Sequence, residues 1–403
     1  MNMLKLIRDY PMLFLSFMGV AFFSGIGQTF FLSIYNADLM QKIGLSRTQL
    51  SSLYACATLV GSFNLTYLGV MVDRWNGRRY LLTLTFAVAT GLLLLSYAPN
   101  AFTLFFAYLI LRAFGQMGFG LFATTSISRL FYERRGKAIS VLGIGRSLAE
   151  GVLPNLGAIL ATSLGAFVSM KIVSATVVIF FIPFIFLVLP KIPTHVESPP
   201  QSIEKQSELK WSWRETFKNN KRSILLMISL AFIPFSVTAL FFQQATLADE
   251  RGWTLVQLAR GFWFYSACLI VGNFTWGPLV DRFRAINLYP FVMLPLLLGL
   301  TALITIKELH GYFIYMMFLG LSVSLSGMLR HTLYAELFGV LQLGRIKGMD
   351  GNILIIGTSL GPLLSGLALD YGVHLQSLLL SLAVFSLVNF ALITFIQRSF
   401  KKA

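Results

Sequence analysis

The chain has 403 residues, 56% of them hydrophobic and only 12% charged. A soluble domain carries roughly twice that charge fraction, so a water-soluble enzyme or binding module is excluded. The formal charge of +16 does not signal nucleic acid, because the basic residues sit in short loops between apolar runs, where positive-inside bias places them.

Apolar runs of about 18–24 residues recur along the chain, each long enough to cross roughly 30 Å of hydrocarbon. Helices satisfy every backbone group within a bilayer, so the pattern predicts an all-α, polytopic membrane protein with twelve spans. The first six run 12–36, 48–70, 79–97, 102–127, 138–160 and 167–189; the second six run 223–246, 256–279, 286–306, 312–334, 350–369 and 374–396. The opening "MNMLKLIRDYPMLFLSFMGV" resembles a signal peptide but lacks a small-residue cleavage site and continues into span 1, so it is read as retained. Cys56 and Cys268 lie in separate apolar runs and define neither a disulfide framework nor a metal site.

Most of the 32 Lys and Arg fall in segments on the same side as the N-terminus. Lys42, Arg47, Lys171, Arg251, Arg260 and Lys307 fall on the other, and Arg112 and Arg146 lie within spans. Both termini are therefore expected in the cytoplasm, in a cell inner (plasma) membrane.

The longest polar segment, 190–222, begins Pro-rich and ends in "WSWRETF". It reads as a cytoplasmic linker whose Trp211, Trp213 and Phe217 suit a short interfacial helix. It separates an N-terminal bundle (1–189) from a C-terminal bundle and tail (223–403). The halves repeat. "GVMVDRW" after span 2 matches "GPLVDRF" after span 8, and "RGKAISVLGIGRSLAEG" resembles "KGMDGNILIIGTSLGPL". Such internal symmetry is typical of secondary transporters.

The loop "GVMVDRWNGRR" resembles the signature loop of the major facilitator superfamily, G-x-x-x-D-R-x-x-x-R-R, through Gly69, Asp73, Arg74, Arg78 and Arg79. Gly277, Asp281 and Arg282 stand where that family has a degenerate second copy. The resemblance implies two pseudo-symmetric six-helix bundles around a midplane cavity, working by alternating access. The residue chemistry fits a gate. Gly69 permits close helix approach, Asp73 can accept from a neighbouring helix N-terminus, and Arg78 and Arg79 can hold acidic groups or lipid phosphates. Asp73, Arg74, Asp281 and Arg282 are accordingly expected to be conformational, not substrate-binding.

Intramembrane charges are costly and rarely incidental. Arg112, in "LILRAFGQMGFG", resembles the family's span-4 arginine, which implies coupling or substrate contact; a structural arginine bonded to carbonyls is the other reading. Arg146 and Glu150, in span 5, are four residues apart and so share one helical face. They form either a purely structural pair or a cavity-lining pair in which Arg146 holds an anion and Glu150 tunes it or takes a proton. Thr358 and Pro362 occupy the equivalent positions of span 11, so the charges belong to the N-terminal bundle. Gln28, Gln243, Gln244, Asn273 and Asn352 are candidate polar partners, each of which also suits helix-to-helix bonding.

The stretches "RLFYERRGKAISVLGIGRS" and "AELFGVLQLGRIKGMDGN" are similar to the corresponding regions of monocarboxylate and oxalate/formate-type transporters. That implies a small organic anion, moved with protons or against a counter-transported anion. The basic residues those families often place in spans 8 and 11 are missing from the span interiors. Proton-driven efflux of lipophilic compounds, transport of a zwitterion or metal chelate, and a nontransporting receptor or scaffold are the competing expectations. No nucleotide-binding loop or catalytic metal motif is present, so neither an enzyme nor a cofactor is expected. The expected partners are a small-molecule substrate, protons or a counter-anion, and membrane lipids, for a chain acting as a monomer.

Overall fold

The computed structural model describes residues 3–131, 134–193, 196, 221–338 and 343–401. The expected interfacial helix at 211–217 lies outside the described residues, as does the side chain of Asp281. Among the described residues, ten helices are long and apolar enough to cross a membrane, and one bent helix pair makes an eleventh span. The remaining span, Arg135–Leu164, is 30 residues long. Its hydropathy is diluted by Arg146, Glu150, Pro154 and Asn155, the same residues that make it chemically interesting.

Spans 2 to 6 are Arg47–Arg74, Gly77–Tyr97, Ala101–Leu130, Arg135–Leu164 and Ala166–Lys191. Spans 7 to 12 are Lys221–Phe242, Leu255–Phe283, Ala285–Thr305, Leu309–Phe338, Leu343–Asp370 and Leu375–Lys401. Two six-helix bundles result.

Span 1 departs from the single helix expected over 12–36. Pro11–Gly27 and Thr29–Ile43 meet at 56°, because Gln28 is extended (φ −88°, ψ 156°). Span 7 has a milder interruption at Gln243, after which Gln244–Arg251 continues as a short helix. Span 4 contains a π-helical stretch, Leu111–Phe119, a form that often marks functional sites.

Local sequence explains the span boundaries and exposes the repeat again. Gly44 ends span 1 in the left-handed region (φ 75°), and Ser46 opens span 2 with a capping box to Gln49. Gly252 (φ 66°), Thr254 and Gln257 do the same before span 8. Left-handed backbone favours glycine, and the reciprocal Ser/Thr–Gln bonds satisfy two free helix-end donors. The matching stretches "GLSRTQL" and "GWTLVQL" are thus a third copy of the internal symmetry.

The bundles touch mainly through spans 2 and 11 and spans 5 and 8. Asn155 donates to the Ala259 carbonyl (2.8 Å) and Ser266 to the Ser147 carbonyl (2.6 Å). Asn36 donates to the Phe242 carbonyl and Gln244 to Ser33, each at 2.9 Å. Asp370 accepts the Thr48 amide (2.7 Å) and faces Arg47 (3.8 Å). These contacts lie from the middle of the spans to the face opposite the termini. Among the described residues, these bonds between the bundles are thus grouped away from the side that carries both chain ends.

Candidate functional site

Three stripes on span 5 position its charges. Gly145 lies against Met18 and Ala149 against Gly25, so this stripe faces span 1. Ser147, Gly151 and Asn155 face Ser266 and Ala259 of span 8. Successive residues turn by about 100°, which places Arg146 and Glu150 between those stripes, facing the cleft between the bundles, while Leu153 packs with Ala149 against Gly25.

The opening of the cleft grades their exposure. The Arg146 side chain is 60% exposed, whereas that of Glu150, one turn deeper, is 8% exposed. Arg146 Nε lies 3.4 Å from Glu150 Oε1. Tyr265 of span 8 stands beside Glu150 across the bundle interface. Beyond it, Tyr265 joins an aromatic group drawn from both bundles. Its ring centroid is 5.6 Å from Phe241 and 6.3 Å from Phe262, and Phe262 is 6.4 Å from Phe30 of span 1. All four rings are buried. The cleft thus holds a guanidinium at its accessible level, a carboxylate beneath it and an aromatic seal behind.

Arg112 sits elsewhere. It is buried at 2% exposure. Its Nε donates to Thr58 (3.0 Å), an Nη donates to the Gly27 carbonyl (3.2 Å), and the guanidinium lies 5.1 Å from the Tyr54 ring centroid. It therefore bonds a carbonyl freed by the break in span 1. Gly27 in turn lies on the π-helical stretch of span 4, since a Cβ there would come within 2.2 Å of the Leu111 carbonyl oxygen. Among the described residues no carboxylate stands with the polar partners of Arg112.

Gln28 is half-buried at the break itself. Gln243 donates to Ser365 of span 11 at 3.3 Å, inside its own bundle, whereas Gln244 bridges to Ser33. Asn273 and Asn352 are exposed. Asn273 follows Ser266 by seven residues, two helical turns, and so lies on the stripe of span 8 that faces span 5.

At the termini face, Asp73 pairs with Arg129 of span 4, which also donates to the Val72 carbonyl (3.3 Å). Arg129 carries no sequence signal beyond its position at a helix end. Arg78 stacks on Phe186 and Arg79 on Trp75, and Arg74 is exposed. Arg282 lies over Phe283. Arg330 of span 10 is buried with Asp350 (3.2 Å) and also donates to the Leu230 carbonyl. Glu336 instead caps the start of span 9, accepting from Ala285 (2.9 Å). Arg330 and Glu336, six residues apart, thus serve different helices.

The profile of the Major Facilitator Superfamily matches residues 17–339 and again 224–403. The chain belongs to the Major Facilitator Superfamily. This facilitator is a multi-span membrane transporter, not an enzyme, and the family works by alternating access. No curated protein sequence matches it. Among solved structures it is similar to a bacterial homologue of the human lysosomal transporter Spinster in an inward-facing, unoccupied conformation, with a TM-score of 0.73 and 14% identity over 98% of each chain. It is also similar to the nucleoside transporter NupG, with a TM-score of 0.72 and 16% identity over 95% of this chain and 98% of that one. At such identities the likeness is one of fold.

Proposed function

We propose that this facilitator is a secondary transporter of a small organic anion, proton-coupled, whose cleft in this conformation opens to the cytoplasm. The observation that carries the reading is the placement of Arg146, accessible from the cleft yet paired only at its inner edge with Glu150. A guanidinium offers five donors and binds carboxylates in a fork. Glu150 occupies one side, and the exposed side is free to take an anion. The buried positive charge of Arg112 adds to the same field from behind span 1.

Glu150 supplies the proton partner. An anion seated on Arg146 adds a second negative group beside the buried carboxylate, and like charges at close range favour uptake of a proton. The buried phenylalanines behind the pair favour an anion with an apolar body. Gln28, Asn273 and Asn352 are the additional polar contacts of this reading. Asp73, Arg74, Arg78, Arg79, Asp281 and Arg282 belong to the gate on the termini face, which is open here.

The test is uptake into proteoliposomes with a panel of mono- and dicarboxylates, amino acids, metal chelates and lipophilic cations, with and without a pH gradient. The reading expects carboxylate uptake that an inward proton gradient stimulates. It expects R146A to reduce uptake roughly 10- to 100-fold, the loss of a charge-assisted bond worth about 1.5–3 kcal/mol. Carboxylate uptake unchanged in R146A, or uptake of the lipophilic cations alone, overturns it.

A further inference from the structure

We infer that the rim of the N-terminal bundle on the side away from the termini binds an anionic phospholipid, with its phosphate against Lys171 and Tyr97 and its chains along spans 3 and 6. The inference is independent of which substrate the cleft takes.

Positive charge on this side needs a reason, because basic residues are normally kept on the other. Three of the bases found here have one inside the protein. Lys42 donates to the Ser96 carbonyl near the end of span 3 (3.0 Å). Arg47 donates to Thr246 (3.2 Å) and faces Asp370. Arg251 donates to the Leu303 carbonyl near the end of span 9 (3.1 Å). A cation beside the last carbonyls of a helix is favoured by the helix dipole. Arg260 and Lys307 are exposed and, among the described residues, stack on no ring. Lys171 is different. Among the described residues it has no hydrogen-bond or ion-pair partner, yet its ammonium is held 4.2 Å from the centroid of the Tyr97 ring.

The chain around Lys171 supplies no counter-ion. Residues 76–132 and 151–196, which contain spans 3, 4 and 6 and the turns at their far ends, include no Asp or Glu. Span 1 brings Asp38 to this rim, together with Lys42 four residues later, and those two charges offset each other. The rim therefore keeps the charge of Lys171.

Geometry indicates where the compensating anion comes from. Spans 3 and 6 are neighbours, joined by Ser174 donating to the Ala89 carbonyl (2.9 Å) and Ser96 donating to the Phe167 carbonyl (3.1 Å). Phe86, Leu93 and Tyr97 of span 3 are exposed, as are Val168 and Ile179 of span 6, so both helices turn an apolar face outward. Lys171 follows Val168 by three residues and stands on that face. It lies five residues beyond Ala166, the first residue of span 6, or about 7 Å along the helix. A lysine stem spans most of that distance and carries its ammonium to headgroup level. Tyr97 is the last residue of span 3 and is 61% exposed, and tyrosine favours the same level. Its ring fixes the ammonium and its hydroxyl adds a second donor, so a phosphodiester can accept from both. Lys42 lies 4.4 Å from the Phe167 ring centroid, one turn before Lys171, and adds positive field across the same rim. Two ammonium groups repel the cationic end of a zwitterionic headgroup, so the fit is to a lipid of net negative charge.

The purified chain in detergent is offered equimolar phosphatidylglycerol and phosphatidylcholine, and bound lipid is counted by native mass spectrometry. The unaltered protein is expected to retain phosphatidylglycerol in preference. K171Q is expected to lower the retained phosphatidylglycerol about fivefold, the contribution of one lysine at an anionic surface. K171R is expected to keep it, and R260Q, which removes an exposed base of the other bundle, to leave it unchanged. Added phosphatidylglycerol is also expected to raise the thermal midpoint of the unaltered protein more than phosphatidylcholine does, by mass action on the folded state, and K171Q to lose that difference.

Equal retention of phosphatidylglycerol by K171Q and the unaltered protein overturns the proposal. So does an equal loss in R260Q, which would mark a general response to surface charge. Displacement of the lipid by millimolar inorganic phosphate overturns it as well, since the rim would then be a site for a free anion.

Discussion

Two arginines in the membrane do different jobs because their surroundings differ. Arg146 faces the cleft with most of its side chain accessible, and its removal leaves the buried Glu150 without its cation, a loss that protonation of the carboxyl relieves. R146A is expected to keep a higher thermal midpoint than R112L while uptake falls. Arg112 is enclosed by Thr58, Gly27 and Tyr54. R112L strips a buried carbonyl of its donor, at a cost of about 1–3 kcal/mol. It should lower the thermal midpoint in detergent, as read by fluorescence-detected size-exclusion chromatography after heating. A lower midpoint for R146A than for R112L would invert the assignment. The sequence singled out both residues, because charge in an apolar run needs no structure to be noticed. Tyr265 was not legible, since "GFWFYSACL" is simply an aromatic stretch of span 8. Its surroundings come from the other bundle, where Glu150 stands 115 positions away in sequence.

At the scale of the element, span 1 is the part most shaped by its neighbours. The sequence predicts one helix, yet the chain breaks at Gln28, and Arg112 satisfies a carbonyl released there. Broken helices at the level of the site are common in transporters. Gly27 is what lets the break lie on span 4. G27A places a methyl within 2.2 Å of the Leu111 carbonyl oxygen and 2.4 Å of the Gln116 nitrogen, and backbone atoms cannot give way as a flexible side chain can. G27A is expected to abolish stable expression, whereas G143A, with open space at its Cβ, should match the parent in yield and melting. Equal behaviour of the two would argue against close packing at Gly27. The capping signals Ser46–Gln49 and Thr254–Gln257 were legible as local chemistry, because a cap involves residues three apart.

Across the whole molecule, the contacts that close the far side pair the start of span 2 with the end of span 11. A Cβ built on Gly366 lies 3.1 Å from the Ser51 Cβ, near the roughly 3.5–4.5 Å of disulfides. In a background free of Cys56 and Cys268, S51C/G366C is expected to cross-link under mild oxidation and to arrest uptake, with reduction restoring it. Full transport by the cross-linked protein would mean that these ends do not separate during the cycle. Asp370 belongs to the same contact. Its carboxylate sits at the N-terminus of span 2, where a helix dipole favours negative charge by about 0.3–1 kcal/mol. D370N should raise the accessibility of a far-side cysteine at Tyr371 or Gln41 to a membrane-impermeant maleimide, and unchanged labelling would remove Asp370 from the gate.

The sequence by itself determined the membrane-spanning character, the twelve helices, the internal repeat and the family. Hydropathy, charge placement and short motifs are properties of neighbouring residues, and a bilayer leaves helices as the available answer. Only the tertiary structure decided that Arg146 is accessible and Arg112 enclosed, that Asp73 pairs with Arg129 while Asp370 bridges the bundles, and that Glu150 stands beside Tyr265. Each of those depends on which helix stands opposite, on how far the bundles have parted, and on contacts between residues tens to hundreds of positions apart. Helix periodicity orients a side chain on its own helix, and only packing supplies what it faces.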